Sequence, residues 1–301
     1  MFPGISLLGL ILLSSAVPTR AYAAASDSAI VARDATVDGV SLHYLAAGHG
    51  PMVVLIHGYA ETSRMWRPLI PMLAERFTVI APDLPGIGDS AIPADGLDIK
   101  TAAIRIHALA RSLGAQNAEV VGHDIGLMVA YAYAAQFPSE TTKLAVMDAF
   151  LPGVDGWEAV YNNPGIWHFR FNGPTPEALV QGRERTYFEH FWNDFAADKN
   201  HSVPEADRQF YAKVYGRPGG MRAGFEVFRA FERDAVDFAR FAEKPLTMPM
   251  LVLTGEKPRA MASSSRLASW HPMWRASSSA GPGIGSWKKR PIRSSRDSSN
   301  F

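Results

Sequence analysis

Short, wholly apolar runs alternate with longer segments of helical spacing through most of the chain. Residues 53–56 and 77–81 are too uniformly apolar to have one wet face, which predicts strands buried on both sides. Residues 144–147 and 250–253 repeat the pattern, and Glu119-Val120-Val121 reads as a further strand between them and 77–81. Between them, 66–75, 101–113 and 127–136 carry apolar residues at helical intervals. Strands separated by helices predict an α/β fold with a doubly wound, mostly parallel sheet. Ahead of it, residues 30–47 hold two half-apolar runs around Asp38-Gly39, a favoured hairpin turn pair. Residues 151–243, between the last two buried runs, are aromatic and helix-like, and read as a helical cap inserted over the sheet.

Composition narrows the class. The chain has 301 residues, 47% of them hydrophobic and 20% charged, the mix of a packed globular protein. Lys+Arg is 30 and Asp+Glu is 29, so no global basic bias points to nucleic acid. With no Cys there is no disulfide framework, thiolate metal site or cysteine nucleophile. The balance hides an asymmetry: residues 258–301 carry +7 and residues 1–257 carry −6.

At the N-terminus, residues 5–17 are apolar and small, Pro18 ends the run, and Ala21-Tyr22-Ala23 supplies a small-x-small cleavage pattern. The run is shorter than the ~20 residues that span a bilayer. It lacks a preceding Lys or Arg, yet reads as a cleaved export signal, with a mature chain starting near Ala24 in the periplasm or outside the cell. The predicted organisation is signal 1–23, core 24–150, cap 151–243, a truncated second part of the core 244–257, and an aberrant tail 258–301.

The candidate chemistry centres on Gly122-His123-Asp124-Ile125-Gly126, where a strand runs straight into a helix. The glycines permit the tight turn of a nucleophile elbow, and the central side chain is thrust out at a helix N-terminus, which favours an anion. That side chain is a carboxylate. Already ionised, it can displace a leaving group at carbon and form an ester, which water activated by a histidine hydrolyses. The same residues also fit an aspartate that merely caps a helix.

His57-Gly58-Tyr59, Asp83-Leu84-Pro85-Gly86-Ile87-Gly88-Asp89-Ser90 and Gly122–Gly126, in this order, resemble the α/β-hydrolase family, in its Asp-nucleophile epoxide hydrolase and dehalogenase branch. Trp167-His168-Phe169, Gly182-Arg183-Glu184-Arg185 and Glu189-His190-Phe191 are similar to the cap of secreted bacterial epoxide hydrolases. The resemblance covers roughly residues 35–257. It implies that Asp124 is the nucleophile and that Asp148 orients the base. It also implies that His168 donates to the epoxide oxygen or cradles a halide, and that the Tyr59 and Ile125 N–H groups form an oxyanion hole. Trp167 and Phe228 are the expected pocket residues. His57 is expected to position its loop through local backbone bonds. No metal or organic cofactor is implied; the partners are water and a small apolar epoxide or halogenated substrate. No nucleic acid or membrane span is expected, and a homodimer is compatible with the sequence.

Two departures matter. Phe228 stands where these epoxide hydrolases carry a ring-opening tyrosine, and Tyr211 and Tyr215 are nearby substitutes that read more simply as helix packing. Ile125 stands where haloacid relatives place an Arg for the substrate carboxylate and haloalkane relatives tend to have a Trp. The apolar wall favours epoxide hydrolysis to a diol over dehalogenation. A relative that only binds ligand is the reading from another class.

The tail does not resemble the family. It holds 12 Ser, and no residue after Leu253 reads as a buried strand, so the last strand and helix are expected to be lost and the sheet edge exposed. No histidine stands where the resemblance places the base; His271 is the tail's only one. Beyond Asp148, Glu256 is the only other candidate for the orienting acid, with Pro258 near that place.

Met and Trp have single codons, so reading the tail one frame out fixes several residues. Met261-Ala262 then gives Gly, Trp270-His271 gives Ala, Met273-Trp274 gives Val and Trp287-Lys288 gives Glu. Residues 283–293 permit His-Trp-Leu-Met-Glu-Glu-Ala-Pro-Asp-Gln, similar to the family's catalytic-histidine segment, and Ser277-Ser278-Ser279 permits Val-Val-Val. A frameshift between Gly255 and Met261 accounts for all of these together.

Overall fold

The computed structural model describes residues 30–254 apart from 197 and 200, and the backbone of 274–278. The expected signal 1–23, Glu256, Pro258 and His271 lie outside the described residues.

The hairpin forms as predicted. β1 (Val31–Val37) and β2 (Val40–Ala47) pair antiparallel, with Asp38 and Gly39 at positive φ in the turn. β3 (Met52–Ile56), β4 (Thr78–Pro82), β5 (Ala118–His123), β6 (Thr141–Met147) and β7 (Met250–Thr254) form the parallel part of the sheet. The full order is β1-β2-β4-β3-β5-β6-β7-β8. The last of these, β8 (Trp274–Ser278), pairs parallel with β7 from Met250↔Trp274 to Thr254↔Ser278.

β8 corrects the expectation that no strand follows Leu253 and that β7 is an exposed edge. A ladder needs only backbone N–H and C=O groups, so Trp-Arg-Ala-Ser-Ser can extend the sheet without the apolar run by which buried strands are recognised. The expected loss of the last helix falls outside the described residues.

β3 shows how the core is built. It is buried throughout, and its side chains alternate between faces. Val54 and Ile56 pack with α2 (Ile99–Ser112) and α3 (Ile125–Gln136). Val53 and Leu55 pack on the other face with Trp66 and Ile70. Each fully buried aliphatic side chain of this kind contributes about 1.5–3 kcal/mol. α3 is buried from Ile125 to Ala134 because it lies between the sheet, α2 and a cap helix.

The helix predicted over 66–75 is broken in two. Ser63–Trp66 forms one 3-10 turn capped by Thr62, and α1 is only Ile70–Ala74. Pro68 cannot donate to the carbonyl four residues back, so a continuous helix is interrupted, whereas Pro71 is tolerated in the first turn of α1.

Between β6 and β7 the chain is helical, as expected of a cap. The helices are α4 (Trp157–Tyr161), a 3-10 segment Pro164–Arg170, α5 (Pro174–Val180), α6 (Glu184–Glu189) running into a π turn His190–Asp194, α7 (Glu205–Tyr215), α8 (Gly220–Arg229) and α9 (Phe231–Ala242). They are tied to the sheet's C-terminal edge by Trp192 Nε1 donating to Ala60 O (3.1 Å), Arg64 Nε to Asp207 (2.8 Å) and Arg217 to Gly86 O (3.1 Å).

Candidate active site

The loops that leave the C-terminal ends of β3, β4, β5 and β6 bring His57, Asp83, Asp124 and Asp148 to one rim of the sheet, beneath the cap. Open α/β sheets bind ligands at this rim.

Asp124 joins β5 to α3 with φ +53° and ψ −125°. A non-glycine residue in such a conformation stores about 1–3 kcal/mol, so its surroundings must hold it. Gly122 and Gly126 do so by contact. A Cβ on Gly122 would lie 2.0 Å from Gly126 O, and one on Gly126 would lie 2.4 Å from Ile56 O. Strand and helix therefore meet more closely than any larger residue permits.

The two expected N–H groups converge on this side chain. Tyr59 N donates to Asp124 Oδ1 at 2.8 Å, and the Ile125 N–H, on the next residue, is a second backbone group that favours the ionised carboxyl. Burial pushes the Asp124 carboxyl up, while a positive His123 and the two N–H groups pull against it. An acceptor bonded by one backbone N–H, with a second N–H beside it at a helix N-terminus, is an arrangement that can stabilise negative charge as it redistributes.

His57 takes the role expected of it. Leu84 N donates to its Nε2 at 2.9 Å, which leaves the proton on Nδ1 to donate to Gly58 O at 2.8 Å. Asp83 is likewise absorbed by its loop, accepting from Ser63 N (2.7 Å) and Asp89 N (2.9 Å). Among the described residues, His43, Asp83 and Asp89 have potential metal-ligating atoms within 4.8 Å of one another, but these Asp83 bonds already use both its oxygens.

Asp148 follows β6 at φ +52°, and its N–H donates to Leu253 O at 3.2 Å. Asp124 N donates to Met147 O at 3.0 Å, so the two carboxylates leave adjacent strand ends.

The cap's contribution is aromatic. Phe228, on α8, is buried and packs edge-on against Tyr59 with ring centroids 4.4 Å apart. His168 is buried beside Phe228 (5.5 Å) and Phe191 (4.8 Å). Burial, and then nearby His190, pushes its pKa down to about 3, so it is a neutral imidazole with one N–H to donate. Its Nδ1 is buried with no partner among the described residues. Trp167 is 40% exposed and packs against His190 (4.8 Å), on the outer side of this group.

Of the two tyrosines singled out in sequence as substitute donors, Tyr215 donates its hydroxyl to Glu61 O at 3.3 Å, and Tyr211 is buried with its ring packed against Trp192, as expected of helix packing. Tyr59 and Tyr187 instead pair hydroxyl to hydroxyl at 3.5 Å.

The sequence reading missed one feature. Glu61 and His123 are buried, and His123 Nδ1 lies 3.1 Å from Glu61 Oε2. Burial disfavours the imidazolium, but Glu61 first, and then Asp124 and Asp148, outweigh it and raise the His123 pKa to about 9. The signal was a histidine inside the elbow motif and a glutamate four residues beyond His57. Only the fold places them together, 62 positions apart in sequence.

A parallel sheet with a glycine-flanked elbow after a central strand, an N–H pair beside the elbow side chain and a helical cap defines the α/β-hydrolase class. The comparisons agree. Residues 51–271 match the family model described as the alpha/beta hydrolase fold. The soluble epoxide hydrolase of Corynebacterium sp. (strain C12) is 33% identical over 235 residues, which span 75% of this chain and 81% of that protein. The fluoroacetate dehalogenase of a Burkholderia species is 28% identical over 234 residues, spanning 73% and 75%. The crystal structure of Cfl2 from Burkholderia cenocepacia superposes with a TM-score of 0.78 at 34% identity, covering 85% of this chain and 90% of that one. The chain belongs to the α/β-hydrolase family, and by family it is an enzyme with hydrolase activity. Among the described residues, no helix is long and apolar enough to cross a membrane.

Proposed function

We propose that this hydrolase opens small apolar epoxides through an ester on Asp124. An Asp124 oxygen attacks an epoxide carbon, the carbon–oxygen bond breaks, and the released alkoxide is stabilised by the N–H of His168 and protonated from solvent. Water then attacks the ester carbonyl. The Tyr59 and Ile125 N–H groups hold the oxyanion, the acyl–oxygen bond breaks, the diol leaves with one of the water's protons while a base takes the other, and Asp124 is restored as a carboxylate. The observation that carries this reading is an elbow carboxylate that accepts from Tyr59 N, with the Ile125 N–H beside it, roofed by an aromatic cap in which neutral His168 lies beside Phe228. Asp148 is the acid that would orient a base.

The second half-reaction needs a base, and the sequence as written supplies none at the family position. The proposed frameshift restores it. The protein with this exact tail therefore forms the ester faster than it hydrolyses it. The N-terminal segment remains part of the proposal as an export signal, and sequencing the mature N-terminus near Ala24 tests it.

Dehalogenation is the second reading, supported by the fluoroacetate dehalogenase relative. It uses the same nucleophile, but Ile125 offers no cation to a haloacid carboxylate. Diol formed from small apolar epoxides, with no halide released from fluoroacetate or chloroalkanes, supports the epoxide reading. Halide release without diol reverses it. Ligand retained with neither product and no covalent adduct favours the binding-only relative.

A further inference from the structure

Beneath the elbow, three groups converge on Gly58. A Cβ placed there would lie 2.8 Å from Asp124 Cβ, 2.9 Å from His123 Nδ1 and 3.0 Å from Glu61 Oε2. The absence of a side chain at Gly58 is what lets the Glu61–His123 pair approach the back of the Asp124 residue. We propose that Glu61 and His123 are positioning residues: Glu61 holds His123 as a buried cation directly behind Asp124, and that cation keeps the Asp124 carboxylate ionised and ready to attack. The proposal rests on Asp124 being the reacting group.

The charge balance supports it. Facing His123 are Glu61 on the β3 loop, Asp124 on the elbow, Asp148 beyond β6, and His57. His57 is spent on backbone bonds as a neutral ring, and burial pushes its pKa down. Three carboxylates thus face one imidazolium. Removing that positive charge leaves neighbouring carboxylates that repel one another and favours protonation of Asp124. Glu61 is itself fixed from the cap, because Tyr215 donates to its backbone oxygen. His123 Nε2, the far side of the ring, is buried with no partner among the described residues.

The test separates charge from structure. His123→Gln keeps an N–H toward Glu61 and removes the cation. The pH profile of Asp124 alkylation by a small apolar epoxide in a single turnover is the readout. The expected result is an acid limb moved upward by about one pH unit or more, so the rate on that limb falls about tenfold for each unit. Glu61→Gln also removes a carboxylate that itself raises the Asp124 pKa, so its limb should move less than that of His123→Gln. An unchanged limb in His123→Gln, whatever happens to thermal stability, overturns the proposal.

A measurement on the unmodified protein needs neither substrate nor a variant that folds. Nitrogen NMR of the His123 ring at pH 7 should find both nitrogens protonated, and a neutral ring overturns the proposal. If His123 is charged but no epoxide alkylates Asp124, the reaction assigned above fails while the electrostatic assignment stands.

Discussion

Gly126→Ala tests the elbow most severely, because the obstacle is backbone. The new Cβ would sit 2.4 Å from Ile56 O and 2.5 Å from His57 O, where ordinary contact begins at 3.4 Å. Both oxygens belong to the end of β3, which is fixed between β4 and β5. No rotamer change relieves the overlap, so α3 must withdraw from the strand by about 1 Å. Overpacking of this kind costs about 1–3 kcal/mol. At about 2–4 °C per kcal/mol for a chain of this size class, Tm should fall by roughly 2–12 °C. The first turn of α3 carries the Ile125 N–H, and Asp124 immediately precedes it, so the withdrawal also spoils the site. A displacement near 1 Å is enough for a loss of about a hundredfold in rate. Thermal melting and single-turnover alkylation of Asp124, measured on the same preparation, provide the assay. A variant that melts within about 1 °C of the parent and alkylates at the parental rate would refute the claim that close strand–helix contact holds the elbow.

Other expectations follow from the cap and from its junction with the sheet. Phe228→Tyr adds a hydroxyl beside His168 and Tyr59, and should speed epoxide opening by up to about a hundredfold, near 3 kcal/mol by analogy with oxyanion-hole donors; an unchanged alkylation rate would remove Phe228 from the pocket. Asp234, on α9, is fully buried, accepts from Ile99 N at 3.1 Å through Oδ1, and has no partner for Oδ2. Burial pushes its pKa up from 3.8 to about 7, against the pull of the Ile99 N–H. A carboxyl raised on folding stabilises the protein fully below its unfolded pKa and loses that contribution as pH rises through the folded value. Stability should therefore decline between about pH 4 and pH 7, by on the order of 4 kcal/mol from this group. Asp234→Asn should flatten that slope in Tm-against-pH scans; a slope as steep as the parent's would assign it to other groups.

Much of this architecture was legible because local and global preferences agree. Residues 53–56 are apolar without interruption because β3 is covered on both faces, and the elbow could be read from glycine spacing because only glycine tolerates the contacts at positions 122 and 126. The helix expected over 66–75 is divided by Pro68, which its apolar spacing outweighs in the sequence. β8 was missed because backbone pairing leaves no apolar signature in a serine-rich run. The Glu61–His123 pair was invisible for a different reason. Its meaning lies in the convergence of two loops at Gly58, and nothing local to either residue encodes it.

The central claim is that Asp124 forms a covalent ester. The most direct measurement is intact-protein mass spectrometry after incubation with a small apolar epoxide, followed by peptide mapping. The account predicts one added epoxide mass, located on Asp124, absent in Asp124→Asn and long-lived in the chain with this tail. Diol production with no trace of an adduct on Asp124 under single-turnover trapping, or an adduct that persists in Asp124→Asn, would contradict it.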